Sequence, residues 1–217
     1  MKEYTTILFD LDGTIIDSGE GVANSLIYAL NKLGISVEER QSLRRFIGPP
    51  LAYSFKTFYG FDEEKTQTAI EYYREYYKDK GILEGYIYDG TEELLRALKE
   101  NGKRLILATS KPEGFAKRIL SNASLDKYFD LIAGATMDEK TRSTKEQVLE
   151  YAIKEGNIDT SSSIMVGDRF YDIEGARAFG MPCVAVLYGY GDRAEFEKHG
   201  ALYIAKTPKE VSEFILN

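Results

Sequence analysis

Short, uninterrupted apolar runs alternate with helical patterns along most of this chain, and that alternation is compatible with few folds. The runs are Thr5–Phe9, Arg104–Ala108, Leu131–Ala133, Ser163–Val166 and Cys183–Leu187, with a weaker one at Leu202–Ile204. Strands that are apolar throughout, rather than at every second position, are buried on both faces. Helical patterns at Glu92–Glu100, Phe115–Ser121, Lys145–Glu155 and Ile173–Phe179 separate them, and Gly102 and Gly180 stand where helices end on glycine. The expected fold class is α/β, a Rossmann-like doubly wound parallel sheet.

One interval departs from the alternation. Between the first run and Glu92 there is no convincing strand, only helical patterns at Gly21–Leu33, Leu51–Tyr59 and Glu63–Lys80. A structureless loop of that length is improbable in a compact protein, so an inserted helical cap is expected over residues 18–88. The α/β catalytic core then comprises residues 1–17 and 89–217, with Gly85 and Gly90 as hinge or turn positions. Tyr72, Tyr73, Tyr76 and Tyr77 fall at helical neighbour spacing within the insert. They are expected to pack between cap helices rather than to stack on a substrate.

Composition narrows the chemistry. A formal net charge of −7 argues against nucleic acid and anionic membranes, both of which recruit basic patches. With Cys183 as the single cysteine no intrachain disulfide can form, and a reducing compartment is expected. The first residues have no signal-peptide layout and no apolar run reaches membrane-spanning length, so a cytoplasmic location is expected. His199 is the only histidine, in a polar stretch that reads as a solvated helix end capped by Gly200. Chemistry here must therefore run on carboxylates, lysine and hydroxyls.

Four segments supply such groups, each at the end of an expected strand, where ligands bind in open parallel sheets. Asp10-Leu11-Asp12-Gly13-Thr14 follows the first run, and strand alternation places Asp10 and Asp12 on one side. Two close carboxylates need a cation or a shared proton; a magnesium ion leaves one as an ionised nucleophile while the other handles a proton. The plain alternative is a strand-end turn. Thr109-Ser110-Lys111-Pro112-Glu113 forms a phosphate-holding corner before a helix, although Ser110 and Glu113 also have capping-box spacing. In Arg142-Ser143-Thr144-Lys145-Glu146, Ser143 and Glu146 have that spacing too, which puts Lys145 in a first helical turn where it opposes the helix dipole. It is either a site residue or a solvated surface lysine. Gly167-Asp168-Arg169-Phe170-Tyr171-Asp172 brings Asp168 to the crevice of Asp10 as an oxygen ligand for a hard cation, for which Mg2+ is suited. Asp172 is open between an N-cap and an acceptor behind the metal ligands.

Taken together, Asp10-Leu11-Asp12-Gly13-Thr14, Thr109-Ser110-Lys111, Lys145 and Gly167–Asp172 resemble the haloacid dehalogenase superfamily, in particular its phosphatase branch with a helical cap. The resemblance implies that Asp10 is the nucleophile forming an aspartyl-phosphate. It implies that Asp12 protonates the leaving group, later activates water, and contributes a backbone carbonyl to the metal. Thr109, Ser110 and Lys145 would hold the phosphoryl oxygens, and Asp10, Asp12 and Asp168 the Mg2+. In the cap, Arg45 and Gly48 of Arg44-Arg45-Phe46-Ile47-Gly48-Pro49-Pro50-Leu51 resemble the specificity loop of phosphoglycolate phosphatase-like members. Arg142, in Arg142-Ser143-Thr144-Lys145, resembles instead a bacterial 5′-nucleotidase-like subgroup. The implied partner is a small phosphorylated metabolite, acted on by a monomer or homodimer. Competing expectations are a sugar-phosphate mutase of the same superfamily, a phospho-aspartate signalling switch, and a binding protein with an inert site; a dehalogenase leaves Asp12 without a task.

Overall fold

A computed structural model describes residues 3–138 and 140–217 of the chain. The chain divides into two compact units, Met1–Ile16 with Ile87–Asn217, and Asp17–Tyr86. In order, the regular elements are β1 (Thr6–Phe9), β2 (Ile16–Asp17), α1 (Gly19–Lys32), α2 (Leu51–Tyr59), α3 (Glu63–Tyr77), β3 (Tyr86–Ile87), α4 (Thr91–Glu100) and β4 (Arg104–Pro112). They continue as α5 (Glu113–Asn122), β5 (Leu131–Ala135), α6 (Lys145–Gly156), β6 (Ser163–Gly167), α7 (Phe170–Ala178), β7 (Cys183–Val186), α8 (Arg193–His199), β8 (Tyr203–Ala205) and α9 (Pro208–Leu216).

The larger unit is a six-stranded sheet in the order β5-β4-β1-β6-β7-β8, with parallel pairing throughout and flanking helices, the Rossmann-like α/β class. The continuous apolar runs have a direct cause. Leu8 stands in register with Ile106 and Met165 and packs with Val148, Leu149 and Ala152 of α6 and Ile173 of α7. Alternate positions, Ile7, Phe9, Leu105, Leu107, Ile164 and Val166, are equally inaccessible. Each fully buried side chain of this kind contributes about 1.5–3 kcal/mol, so both faces are apolar through the middle of these strands, and the buried polar residues Thr6, Ser163, Thr109 and Lys111 stand toward strand ends.

Connectivity locates the crevice. From β1 the chain builds outward through β4 and β5, then returns to the other side of β1 to build β6, β7 and β8. The winding direction reverses at β1, and side chains at its carboxyl end border the crevice that such a reversal opens. Asp10 is the first residue beyond β1, its N–H still bonded to the Val166 carbonyl at 2.9 Å.

The smaller unit is helical. α1 packs on α3, and α3 on α2. Gly21 and Gly81 let two backbones meet: a Cβ at Gly21 would lie 1.9 Å from the Gly81 carbonyl oxygen. Phe46 is ringed by Phe55, Phe58 and Tyr59 at centroid distances of 5.2–6.0 Å. Of the tyrosine group, Tyr73 and Tyr77 are buried and stacked at 5.3 Å. Tyr76 donates to Glu84 at 2.9 Å, and Lys32 lies over the Tyr72 ring at 5.7 Å. These contacts are packing within the unit.

Several helix starts differ from the spacing-based expectation. The N-cap of α6 is Thr144, not Ser143, in a reciprocal capping box with Gln147. The N-cap of α5 is Pro112, without a side-chain cap bond, so Ser110 caps nothing. β4 runs on through Thr109 and Lys111 to Pro112, four residues past Ala108, because β5 keeps pairing with it across a register shift. Asp172 is not the N-cap of α7; Arg169 is, and Asp172 occupies the third helical position. At α6 the backbone path selects Thr144 over Ser143 to reach the free N–H groups, whereas Pro112 and Arg169 make no side-chain cap bond. His199 ends α8 before Gly200 at φ 76°, as expected, yet its ring is bonded to Glu174 at 2.8 Å and packed against Phe170.

Candidate active site

The site is built around the end of β1. Strand alternation directs Asp10 to the face of Leu8, the face covered by α6 and α7, and Lys145 opens α6 on that face. Lys145 Nζ lies 2.8 Å from Asp10 Oδ1, 2.8 Å from Asp172 Oδ1 and 3.0 Å from the Ala108 carbonyl. The carbonyl belongs to the residue before Thr109, so one ammonium ties together the end of β1, the body of β4 and the first turn of α7. Lys145 is only 7% exposed. Burial alone would lower its pKa, but the Asp10 and Asp172 carboxylates outweigh it and hold the lysine above its ordinary value. It is not a solvated surface lysine.

Asp168 follows β6 by one residue and is 1% exposed. Its Oδ2 accepts from the Tyr190 N–H at 2.7 Å, while its Oδ1 is buried with no hydrogen-bond partner among the described residues. Asp172 Oδ2 accepts from the N–H groups of Asp168 and Arg169, at 3.1 and 3.0 Å, and so fixes the turn that presents Asp168. Asp10, Asp168 and Asp172 each offer an oxygen within 4.8 Å of the others.

The charge count in this cluster is informative. With every carboxylate ionised, three buried acids would face one ammonium, an excess of two negative charges that one divalent cation would balance. Burial first, then the neighbouring carboxylates, push Asp168 well above the usual carboxylate range. Asp10 is raised by burial and by Asp172, with Lys145 pulling the other way. An unpartnered buried oxygen and mutually repelling carboxylates fit a hard, oxygen-preferring cation. Asp12 lies apart from this group: its Oδ2 is 2.9 Å from Lys111 Nζ, and its Oδ1 is buried with no hydrogen-bond partner among the described residues.

The hydroxyls are placed as follows. Thr109 is 1% exposed, and its Oγ1 accepts from the Lys111 N–H at 3.2 Å. Ser110 is half-buried. Thr14 Oγ1 is buried with no hydrogen-bond partner among the described residues. Arg142 serves the scaffold: Nε donates to the Gly134 carbonyl at 2.6 Å, Nη2 pairs with Glu113 at 2.8 Å, and the guanidinium stacks 3.7 Å from the Tyr151 ring. Arg45 and Gly48 belong to the helical unit. There Arg45 is exposed and lies over Phe58 at 4.4 Å, and Gly48 adopts φ 107° ahead of Pro49-Pro50.

Sequence reasoning gave no role to Lys111 or to the Tyr188-Gly189-Tyr190-Gly191 loop. Lys111 was within reach, since an additional lysine beside a phosphate-binding corner is a signal in itself. The loop was not: its contact with Asp168 is made by backbone N–H groups, which no residue type announces.

Residues 7–186 match the pattern of the Haloacid dehalogenase-like hydrolase family. The chain belongs to that family and is an enzyme of its phosphatase class. Among its relatives is a 5′-nucleotidase of Pseudomonas aeruginosa, 40% identical over 90% of this chain and 88% of that one. A Mycobacterium tuberculosis protein named tyrosine-protein kinase PtkA is 38% identical over 88% of this chain but only 64% of its own length. A phosphoglycolate phosphatase of Colwellia psychrerythraea is 29% identical over 97% of this chain and 96% of that one. Among solved structures, a predicted phosphatase from Clostridium acetobutylicum superimposes with a TM-score of 0.95 at 48% identity, covering 99% of each chain.

Proposed function

We propose that the chain is a magnesium-dependent phosphatase that hydrolyses a small phosphomonoester through an aspartyl-phosphate on Asp10, with a 5′-nucleotide-type or phosphoglycolate-type substrate. The observation that carries the reading is Asp10 itself, buried at the crevice, its Oδ1 held 2.8 Å from the Lys145 ammonium beside the unpartnered Oδ1 of Asp168. Phosphoryl transfer asks chiefly for positioning and for neutralisation of charge on the equatorial oxygens.

Asp10 attacks phosphorus, the bond to the leaving oxygen breaks, and Asp12 supplies that oxygen with a proton. Asp12 then takes a proton from the water that attacks phosphorus and releases Asp10. Lys145 holds a phosphoryl oxygen and Asp172 keeps the ammonium in place, while Thr109 and Ser110 border the same oxygens. Asp10 and Asp168, with the Asp12 backbone carbonyl, would hold the Mg2+, which supplies charge neutralisation when bound. The helical unit 17–86 acts as the cap that selects the leaving group, with Arg45 and Gly48 as its candidate specificity residues. The 40% identity to a 5′-nucleotidase against 29% to a phosphoglycolate phosphatase puts mononucleotides first among substrates.

The test is a phosphate-release screen with magnesium over mononucleotides, phosphoglycolate and sugar phosphates. At least a hundredfold preference in kcat/KM for one class is expected. Isomerisation of a sugar phosphate without net phosphate release, or a phosphorylated protein that persists for hours, defeats the reading.

A further inference from the structure

In the loop Tyr188-Gly189-Tyr190-Gly191, just beyond β7, the last three residues lie against Asp168. Tyr190 N–H donates to Asp168 Oδ2 at 2.7 Å, and Gly191 N–H donates to the Asp168 backbone carbonyl at 3.1 Å. The glycines are there because nothing larger fits. A Cβ on Gly189 would lie 2.3 Å from the Gly13 carbonyl oxygen and 2.4 Å from Asp168 Cβ. A Cβ on Gly191 would lie 2.3 Å from the Asp168 carbonyl oxygen and 2.6 Å from the Phe196 ring. From the other side, Gly13 (φ 80°) comes so close to Asp168 that a Cβ there would meet Oδ2 at 2.0 Å and the Tyr190 ring at 2.7 Å. The Asp168 carboxylate is thus clamped between the Asp10–Thr14 turn and this loop.

We infer that the Tyr188–Gly191 loop is a positioning element of the cation site. By occupying Oδ2 with the Tyr190 N–H, it locks the Asp168 rotamer and leaves Oδ1 as the one oxygen presented to the cation. This rests on the reading that Asp168 ligates Mg2+. The geometric argument is independent of it. A carboxylate in a buried site has two oxygens and a rotatable Cβ–Cγ bond, and only an external donor decides which oxygen is available. Backbone N–H groups do this without side-chain entropy, but they require the loop backbone to approach to contact distance, hence a glycine on each side of Tyr190.

The experiment compares wild type, Gly189→Ala and Gly102→Ala, by calorimetric titration with MgCl2 and by the shift in Tm that MgCl2 produces. Gly102 has φ 72° with nothing near its Cβ position, so an alanine there destabilises the fold through backbone strain alone, without touching Asp168. Gly189→Ala, folded by circular dichroism, is expected to bind Mg2+ at least tenfold more weakly and to lose the Tm shift. The magnesium concentration for half-maximal phosphate release should rise by the same factor. Gly102→Ala should lower Tm and leave the magnesium Kd unchanged. Equal magnesium affinity in wild type and Gly189→Ala overturns the inference while leaving the phosphatase reading intact; a wild type that binds no divalent cation overturns both. Should Gly189→Ala not fold, the wild-type Tyr190 amide decides. In 15N-labelled protein it should exchange slowly and shift on magnesium addition, and fast, magnesium-insensitive exchange refutes the loop's role.

Discussion

Lys145 is the residue on which this site turns. A cation on the first position of a helix opposes the helix dipole, and this one is buried as well. Both costs are offset by Asp10 and Asp172, each 2.8 Å from its ammonium. Replacing it by methionine strands two carboxylates in a dry site and should cost about 3–5 kcal/mol. Urea denaturation of Lys145→Met in cation-free buffer measures this, and a loss below about 1 kcal/mol would contradict the buried ion-pair account. The complementary change, Asp10→Asn, keeps the shape and removes one of the repelling charges. It should abolish phosphate release, with a fall of about a thousandfold or more in kcat, while Tm stays the same or rises. A folded Asp10→Asn enzyme with near-normal turnover would falsify the nucleophile assignment. Asp10, Asp12 and Asp168 were legible in sequence as charged residues just beyond strands, and Lys145 as a lysine in the first turn of a helix. What was not legible is which carboxylate takes which lysine. Asp12 pairs with Lys111, and Asp10 shares Lys145 with Asp172. Such pairings depend on side-chain reach across the sheet, which spacing along the chain does not encode.

Among the elements, α6 shows how a helix start delivers a catalytic group. The Thr144–Gln147 capping box fixes the first turn, and with it the direction of Lys145. Thr144→Ala should destabilise the protein by about 1 kcal/mol and lower kcat several-fold, because the turn that aims the ammonium is loosened. Matched urea melts and phosphate-release assays measure both, and a stability loss with unchanged kcat would separate the cap from the chemistry. Arg142 makes the opposite case. Its bonds to Gly134 and Glu113 and its stacking on Tyr151 join β5, α5 and α6, so it is bound into the scaffold rather than presented to a ligand. Arg142→Gln should cost about 1–3 kcal/mol and leave the ranking of substrates untouched. A reordered substrate ranking restores Arg142 as a specificity residue. Helix and strand positions were readable because burial on both faces imposes continuous apolar runs, and helix ends impose glycine. Start positions slipped by a residue or more, at Ser143 against Thr144 and at Asp172 against Arg169. At α6 two hydroxyl residues compete as caps and packing selects Thr144; at α7 Asp172 Oδ2 accepts instead from the Asp168 and Arg169 N–H groups within the preceding turn.

At the scale of the molecule, the three-carboxylate cluster couples folding to protons and to cations. A carboxyl whose pKa is raised in the folded state binds its proton more tightly there than in the unfolded chain. Without divalent cation, stability should therefore rise as pH falls through the raised values of Asp10 and Asp168, above the ordinary carboxylate range near 4. Melting curves from pH 8 to 5 measure this; a flat or falling Tm over that interval contradicts it. Magnesium should remove the dependence by neutralising the same charges. At a hundred times its Kd it should add about 2.7 kcal/mol of stability at pH 8.

What the sequence determined by itself was the alternation that makes a parallel sheet, the helical insert, and the four polar segments where chemistry gathers. These are local consequences of burial: an all-apolar run lies inside a sheet, and polar residues gather toward the ends of its strands. The tertiary structure alone decided that Asp172 holds Lys145 and that Lys111 holds Asp12. It also decided that a glycine-flanked N–H after β7 sets which oxygen of Asp168 is open. Those facts are set by distances of about 3 Å between residues far apart in the chain, and such distances exist only once the sheet has brought the strand ends together.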